Sequence, residues 1–195
     1  MVNPTLYDLL LTYHTDENPH LAGSLIEHLV GTHDLLEAWG NSRDLCNAGL
    51  FHSVYGTQLF AIQSVPFEKR DDIRRAIGDR AERVAYLFSV TNRKTFFEQN
   101  GKPTATLYDV VRHEIVPVSP EELRDLIELE VANLVEFLAR TTMRADFVEI
   151  MSRRFESAAG QISPAGLGAA RAALDEQRAK LQRGEQPTES ALIAR

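Results

Sequence analysis

Apolar residues recur at every third or fourth position along most of the chain, the period of helices that bury one side. Residues 5–13 predict a first short helix, ended by the turn-forming stretch TDENP. In 21-LAGSLIEHLVGTHDLLEAW-39, Leu21, Leu25, Leu29, Leu36 and Trp39 fall in one stripe, and Gly40 supplies a stop. Ser42 is placed to cap a third helix, 43-RDLCNAGLFHSVY-55, ending near Gly56. Residues 57–69 read as a loop. Ile73, Ile77, Ala81 and Val84 then repeat at helical spacing over 70–90, with Gly78 dividing a short helix from a longer one capped by Asp79. After the irregular segment 91–103, the stretch 104-TATLYDVVRHEIVPVS-119 is β-branched with a polar centre, which predicts a small hairpin. Ser119, Pro120 and Glu122 make a strong start signal for a long helix to about Arg140. Helices over 144–158 and 163–183 follow, then a mobile tail over 184–195. The expected fold is mainly α: one domain over residues 1–183, a helical bundle with a hairpin around 104–119.

Composition narrows the picture. A chain of 195 residues, 44% hydrophobic, suffices for one sizeable core. No apolar run reaches the roughly 18–20 residues that span a bilayer, and the first residues lack the basic start and cleavage site of a secretory leader. A cytoplasmic location is therefore expected, and Cys46, the sole cysteine, excludes a disulfide framework within one chain. Lys and Arg number 21 against 28 Asp and Glu, a net charge of -7, which argues against general nucleic-acid or anionic-membrane binding. The expected partner is a small molecule. The last helix, rich in Ala, Leu, Glu, Gln and Lys, could pack on its own domain or on a second copy, so a homodimer stays open.

Chemistry is expected where residue type and burial pattern disagree. His28 winds onto the apolar side of the second helix beside Thr32, whereas His33 lies well round from it. His52 follows Leu45, Ala48 and Gly49 on the inward face of the third helix, with Gly49 leaving room beside the ring. In 123-LRDLIELEVANLVEFL-138, Glu130 falls near the middle of the apolar stripe and Asn133 flanks it one turn on. A buried carboxylate without a partner costs several kcal/mol, and a cation is one way to keep it charged. His28, His52 and Glu130 thus form a candidate shell for a divalent metal (Mn, Fe or Zn), with His20 as a fourth ligand or a water-orienting group. The alternatives are core histidines bonded to backbone carbonyls, Glu130 paired with an arginine, and Ser53, Thr57 and Gln58 simply capping a helix. Arg93 and Lys94 lie in a cation-rich stretch over 69–94 and are candidates to meet an anion.

These segments resemble the HD-domain superfamily of helical metal-dependent phosphohydrolases. The stretch 28-HLVGTHDLLEAW-39 is similar to its first histidine helix, 48-AGLFHSVYG-56 to its His-Asp segment and 126-LIELEVANL-134 to the helix bearing its last ligand. The guanosine-tetraphosphate hydrolase branch is the most similar, through 77-IGDRAERVAYLFSVTNRK-94. A closer likeness is to an uncharacterised family with an F-H-S-x-Y-G-T motif, present here as 51-FHSVYGT-57. Ser53 stands where HD enzymes carry a metal-bridging Asp, and Gly56 and Thr57 stand where the tetraphosphate hydrolases carry acids. The resemblance implies a metal-dependent, hydrolase-type enzyme acting on a small anionic molecule. His28, His52 and Glu130 would be ligands, with Asp125 competing for the last place, and Glu130 and His20 would be catalytic groups. Ser53, Tyr55, Thr57, Gln58, Arg93, Lys94 and Asn133 would face the substrate. Two alternatives stand beside it: a non-catalytic small-molecule-binding domain that has lost the metal, motivated by Ser53, and an iron oxygenase like the inositol-oxygenase relatives of the superfamily.

Overall fold

A computed structural model describes residues 1–20, 23–57 and 61–188, with the backbone alone at residues 19 and 20. The chain is mainly α with a small antiparallel hairpin, as the periodicity predicts. In order it forms α1 (Pro4–Thr12), β1 (Pro19–His20), β2 (Gly23–Ser24), α2 (Leu25–Ala38) and α3 (Arg43–Phe51). A 3-10 turn (Phe67–Lys69) leads to α4 (Arg70–Ile77), α5 (Asp79–Val90) and α6 (Lys94–Glu98). The hairpin β3 (Ala105–Asp109) and β4 (Glu114–Val118) precedes α7 (Pro120–Arg140), α8 (Ala145–Ser157) and α9 (Pro164–Gln182).

Several boundaries follow from caps. Helix α7 starts at the expected capping box, in which Ser119 Oγ accepts from Glu122 N and Glu122 accepts from Ser119 N. Helix α2 begins at Leu25, later than the apolar stripe suggests, because Ser24 and Glu27 form a second capping box. The residues before it pair instead as a two-residue ladder, Pro19 opposite Ser24 and His20 opposite Gly23. Leu21 lies outside the described residues, as does the tail beyond residue 188. Helix α3 ends at Phe51, short of the expected Tyr55. His52 is its C-cap, and turn bonds from Val54 N to Phe51 O and from Gly56 N to Ser53 O carry the chain away. The segment expected to be irregular before the hairpin holds α6, started by Asn92 Oδ1 accepting from Lys94 N.

The hairpin pairs Ala105 with Val118 through Asp109 with Glu114, burying Ala105, Leu107 and Asp109. Helices α2, α3, α5 and α7 pack on one another, and α9 lies along α7 and α8. The buried Ala170 and Leu174 therefore dock α9 on its own domain. Leu29, Leu36, Leu50, Phe51, Phe88, Leu126 and Leu129 are fully buried between the central helices. Each such side chain stabilises the fold by about 1.5–3 kcal/mol.

One polar side chain fastens this second layer. Buried Gln177 of α9 accepts from Met143 N at 2.8 Å and donates to Leu138 O and Thr141 O, both at 2.9 Å. Gln177→Ala would take a partner from Met143 N and Leu138 O and leave Thr141 O to the Lys180 ammonium. The expected cost is about 2–4 kcal/mol, read as a lower urea midpoint at unchanged slope.

Candidate functional site

Helices α2, α3 and α7 bring three polar side chains to one point inside the central layer. His28 Nε2 and His52 Nε2 stand 3.1 Å apart, and Asn133 Oδ1 is 3.1 Å from each. Both imidazoles are buried, at 2% and 0% exposure, so the inward faces read from the helical period are the observed ones. Their rings meet edge to face at 5.0 Å between centroids, and Phe88 of α5 seats His52 from the other side at 5.1 Å.

The outer ring nitrogens are each tied to an acceptor. His52 Nδ1 donates to Gly49 O, one turn back on α3, at 2.7 Å. Its carbonyl in turn accepts from Ser89 Oγ at 2.9 Å, which locks the end of α3 against α5. His28 Nδ1 donates to Glu136 Oε2, and Arg140 holds the other oxygen of that carboxylate. A neutral imidazole that donates from Nδ1 turns the lone pair of its Nε2 the other way, here toward Asn133. Burial pushes the His28 imidazole down to a pKa of about 3, partly opposed by the Asn133 contact, so the ring is neutral at ordinary pH.

Asn133 is itself oriented. Its Nδ2 donates to Glu130 Oε2 at 3.2 Å, and Arg93 Nη1 donates to the same oxygen at 3.1 Å. Burial pushes Glu130 up, against the pull of Arg93. The expectation that Glu130 is the carboxylate beside the imidazoles is corrected by these contacts. Asn133 touches the rings, and Glu130 lies behind it as the arginine partner. One turn along α7 separates the two, and the packing of α7 on α2 and α3 decides which of them reaches the histidines.

Glycines on α2 and α3 permit the approach. A Cβ at Gly31 would sit 2.8 Å from Glu136 Cγ, and one at Gly49 would sit 2.6 Å from Leu36 Cδ1. The space at Gly49, expected beside the His52 ring, is thus filled by Leu36 of α2. Gly31→Ala should drive Glu136 off His28 Nδ1 and leave that ring free to turn. If these histidines hold a divalent ion, its affinity would fall about 10- to 100-fold, measured by titration with Co(II), while the circular-dichroism spectrum stays helical.

The remaining expected site residues are distributed differently. Tyr55, expected to face the substrate, is buried, and its hydroxyl donates to Glu82 Oε1 at 3.1 Å. Ser53 is buried beside it in sequence, and Thr57 is half-buried. Lys94 is exposed at the start of α6, whereas Arg93 reaches inward to Glu130 across the face of Phe88. Asp125 takes a hydrogen bond from Arg80 at 2.6 Å on a more open part of α7. Gln58 and the side chain of His20 lie outside the described residues. Elsewhere on α2, donors of buried His33, which the helical period had placed well round from the apolar side, and of Asp34 and Glu37 lie within 4.8 Å of one another. Two of them are exposed acids, and Glu37 also holds the N-terminal ammonium.

Glu136, Arg140 and Glu82 were not foreseen. A signal exists for the first two, since Glu130, Asn133, Glu136 and Arg140 recur at three- or four-residue steps through an apolar helix. Glu82 is likewise an acid on the buried side of α5, between Ala81 and Val84.

The family described as a domain of unknown function, DUF6817, matches residues 9–93. That span carries both histidines and stops at Arg93, before α7 supplies Asn133 and Glu136. No curated protein and no solved structure matches the chain.

Proposed function

We propose that this chain is a metal-dependent enzyme of HD-like, hydrolase type, acting on a small anionic molecule, with His28 and His52 as the core of its metal site. One observation carries the proposal: two buried imidazoles on different helices meet through Nε2 at 3.1 Å while each Nδ1 is bonded to an oxygen acceptor. This is the pattern of metal-ligating histidines, in which a carboxylate or backbone carbonyl fixes the tautomer and aims the free lone pair. The donor set suits a first-row divalent ion such as Mn, Fe or Zn. Such an ion would supply Lewis-acid polarisation of a substrate oxygen and acidify a nearby water.

The chain's own groups set the rest. Glu136 accepts the hydrogen bond from His28 Nδ1 and is itself paired with Arg140, so its charge beside the ring is balanced. Phe88, Leu29 and the helix packing around His52 keep bulk water from the inner side. Exposed Lys94 places positive charge at the start of α6, where a substrate's negative group would be met, while the adjoining Arg93 is paired with Glu130. Protein purified without chelators is expected to contain one metal per chain by elemental analysis. A metal-free preparation that also takes up no added divalent ion would sink the proposal.

Ser53, in the position where HD enzymes carry Asp, favours a second reading as a binding domain without a metal. The same elemental analysis separates the two. Spectroscopic identification of iron would move the chemistry toward oxygenation.

A further inference from the structure

The sequence pattern pointed to a carboxylate as the third ligand, but the atom that meets both imidazoles is a carboxamide oxygen. Asn133 Oδ1, His28 Nε2 and His52 Nε2 form a triangle with three sides of 3.1 Å. Donors sharing one first-row ion at bond lengths of about 2.0–2.2 Å stand about 3–3.4 Å apart. The amide orientation follows from its neighbours: Nδ2 faces Glu130 Oε2, which also takes Arg93, and the flipped amide would set oxygen against oxygen there. The amide oxygen and the two Nε2 atoms thus converge on one point, the geometry in which three donors share a cation.

Charge distribution gives this its consequence. The triangle itself is uncharged, and the two carboxylates stand one step outside it. Glu136 is matched by Arg140 and Glu130 by Arg93, so that each acid is balanced before an ion enters. A divalent ion in an uncharged donor set keeps its full positive charge toward whatever fills its remaining positions.

We propose that Asn133, through its side-chain oxygen, is the third protein donor to the ion held by His28 and His52, and that this uncharged set makes the ion take an anionic oxygen of its ligand directly. It rests on the metal-site proposal above and adds to it a residue that sets ligand preference: a phosphate- or carboxylate-bearing small molecule.

Co(II) titration of the full chain, followed by visible absorption, tests it. Asn133→Asp adds a negative donor in nearly the same shape. It should bind Co(II) about 10-fold or more tighter, as ligand charge governs affinity at such sites. Inorganic phosphate added to the Co(II) protein should then bind about 10-fold or more weaker than in wild type, because the extra charge is already met. Asn133→Leu should lose about 100-fold in Co(II) affinity. The opposite movement of the two affinities in Asn133→Asp is what a packing role would not produce. If both variants bind Co(II) within twofold of wild type with an unchanged spectrum while His52→Ala loses it, Asn133 is no ligand, although the metal centre stands. Phosphate affinity falling together with Co(II) affinity in both variants also overturns the proposal, as does unchanged phosphate affinity in Asn133→Asp. Wild-type protein that takes no Co(II) overturns both this inference and the metal site beneath it.

Discussion

His52→Ala is expected to abolish stoichiometric metal and, with it, turnover of any anionic substrate found for the wild type. Metal affinity should fall by about two orders of magnitude or more, since one of the two buried imidazole donors that meet among the described residues is gone. The imidazole is also a structural link, because its Nδ1–H bonds to Gly49 O and its ring packs edge-on to Phe88. A loss of about 1–3 kcal/mol in stability should therefore accompany the metal loss. His52→Gln separates the two effects: an amide can return a hydrogen bond within α3 yet offers a poorer donor to a divalent ion. The expected pattern is near-normal unfolding in urea for His52→Gln with little metal retained. Metal content equal to wild type in His52→Ala would remove the basis of the proposed function.

The largest effect on stability is expected from Glu82→Gln. Glu82 has no exposed surface, and four donors converge on its carboxylate. Arg70 donates twice, at 2.6 and 3.0 Å, Arg74 once at 3.3 Å and the Tyr55 hydroxyl at 3.1 Å. The Arg70 guanidinium is stacked 3.3 Å above the Tyr86 ring, and the Tyr86 hydroxyl donates to buried Asp109 at the hairpin turn. Burial and the neighbouring Glu82 charge push the Tyr55 hydroxyl up, so it stays a donor. One carboxylate thus ties the end of α3 to α4, α5 and the hairpin. An amide of the same shape removes the negative charge and faces its own N–H groups against those donors, leaving the part-buried Arg70 without the carboxylate at its fork. Breaking a buried pair from one side costs about 3–5 kcal/mol. For a chain of this size that lowers the melting temperature by about 6–20 °C. Differential scanning calorimetry checks it, and a shift under about 2 °C would show that the cluster is not the tie described. Because His52 sits three residues before Tyr55, metal affinity should weaken as well in the folded fraction.

Much of the architecture is legible in the chain. Ser119, Pro120 and Glu122 state where α7 begins, and the β-branched stretch after residue 104 states the hairpin. Capping boxes and alternation are local rules, satisfied by neighbours in sequence. The start of α2 was equally legible in Ser24 and Glu27, but the apolar stripe running back to Leu21 outweighs that pair on inspection. The end of α3 was not legible. Nothing near Ser53 forbids another helical turn, and it is the Ser89 hydroxyl of α5 that donates to the carbonyl of His52, the C-cap of α3.

The same division holds for the site. Sequence alone determined that His28 and His52 face inward, because the helical period fixes which side of a helix a residue occupies whatever lies opposite. It also determined that α7 carries polar groups on a buried face. Only the tertiary structure decided that Asn133 meets the imidazoles, that Glu130 answers to Arg93 and that Glu136 steadies His28. Those choices depend on how far one helix slides and rolls against another. That register is set by contacts between residues far apart in the chain, such as Gly31 under Glu136 and Gly49 under Leu36, which no local pattern records.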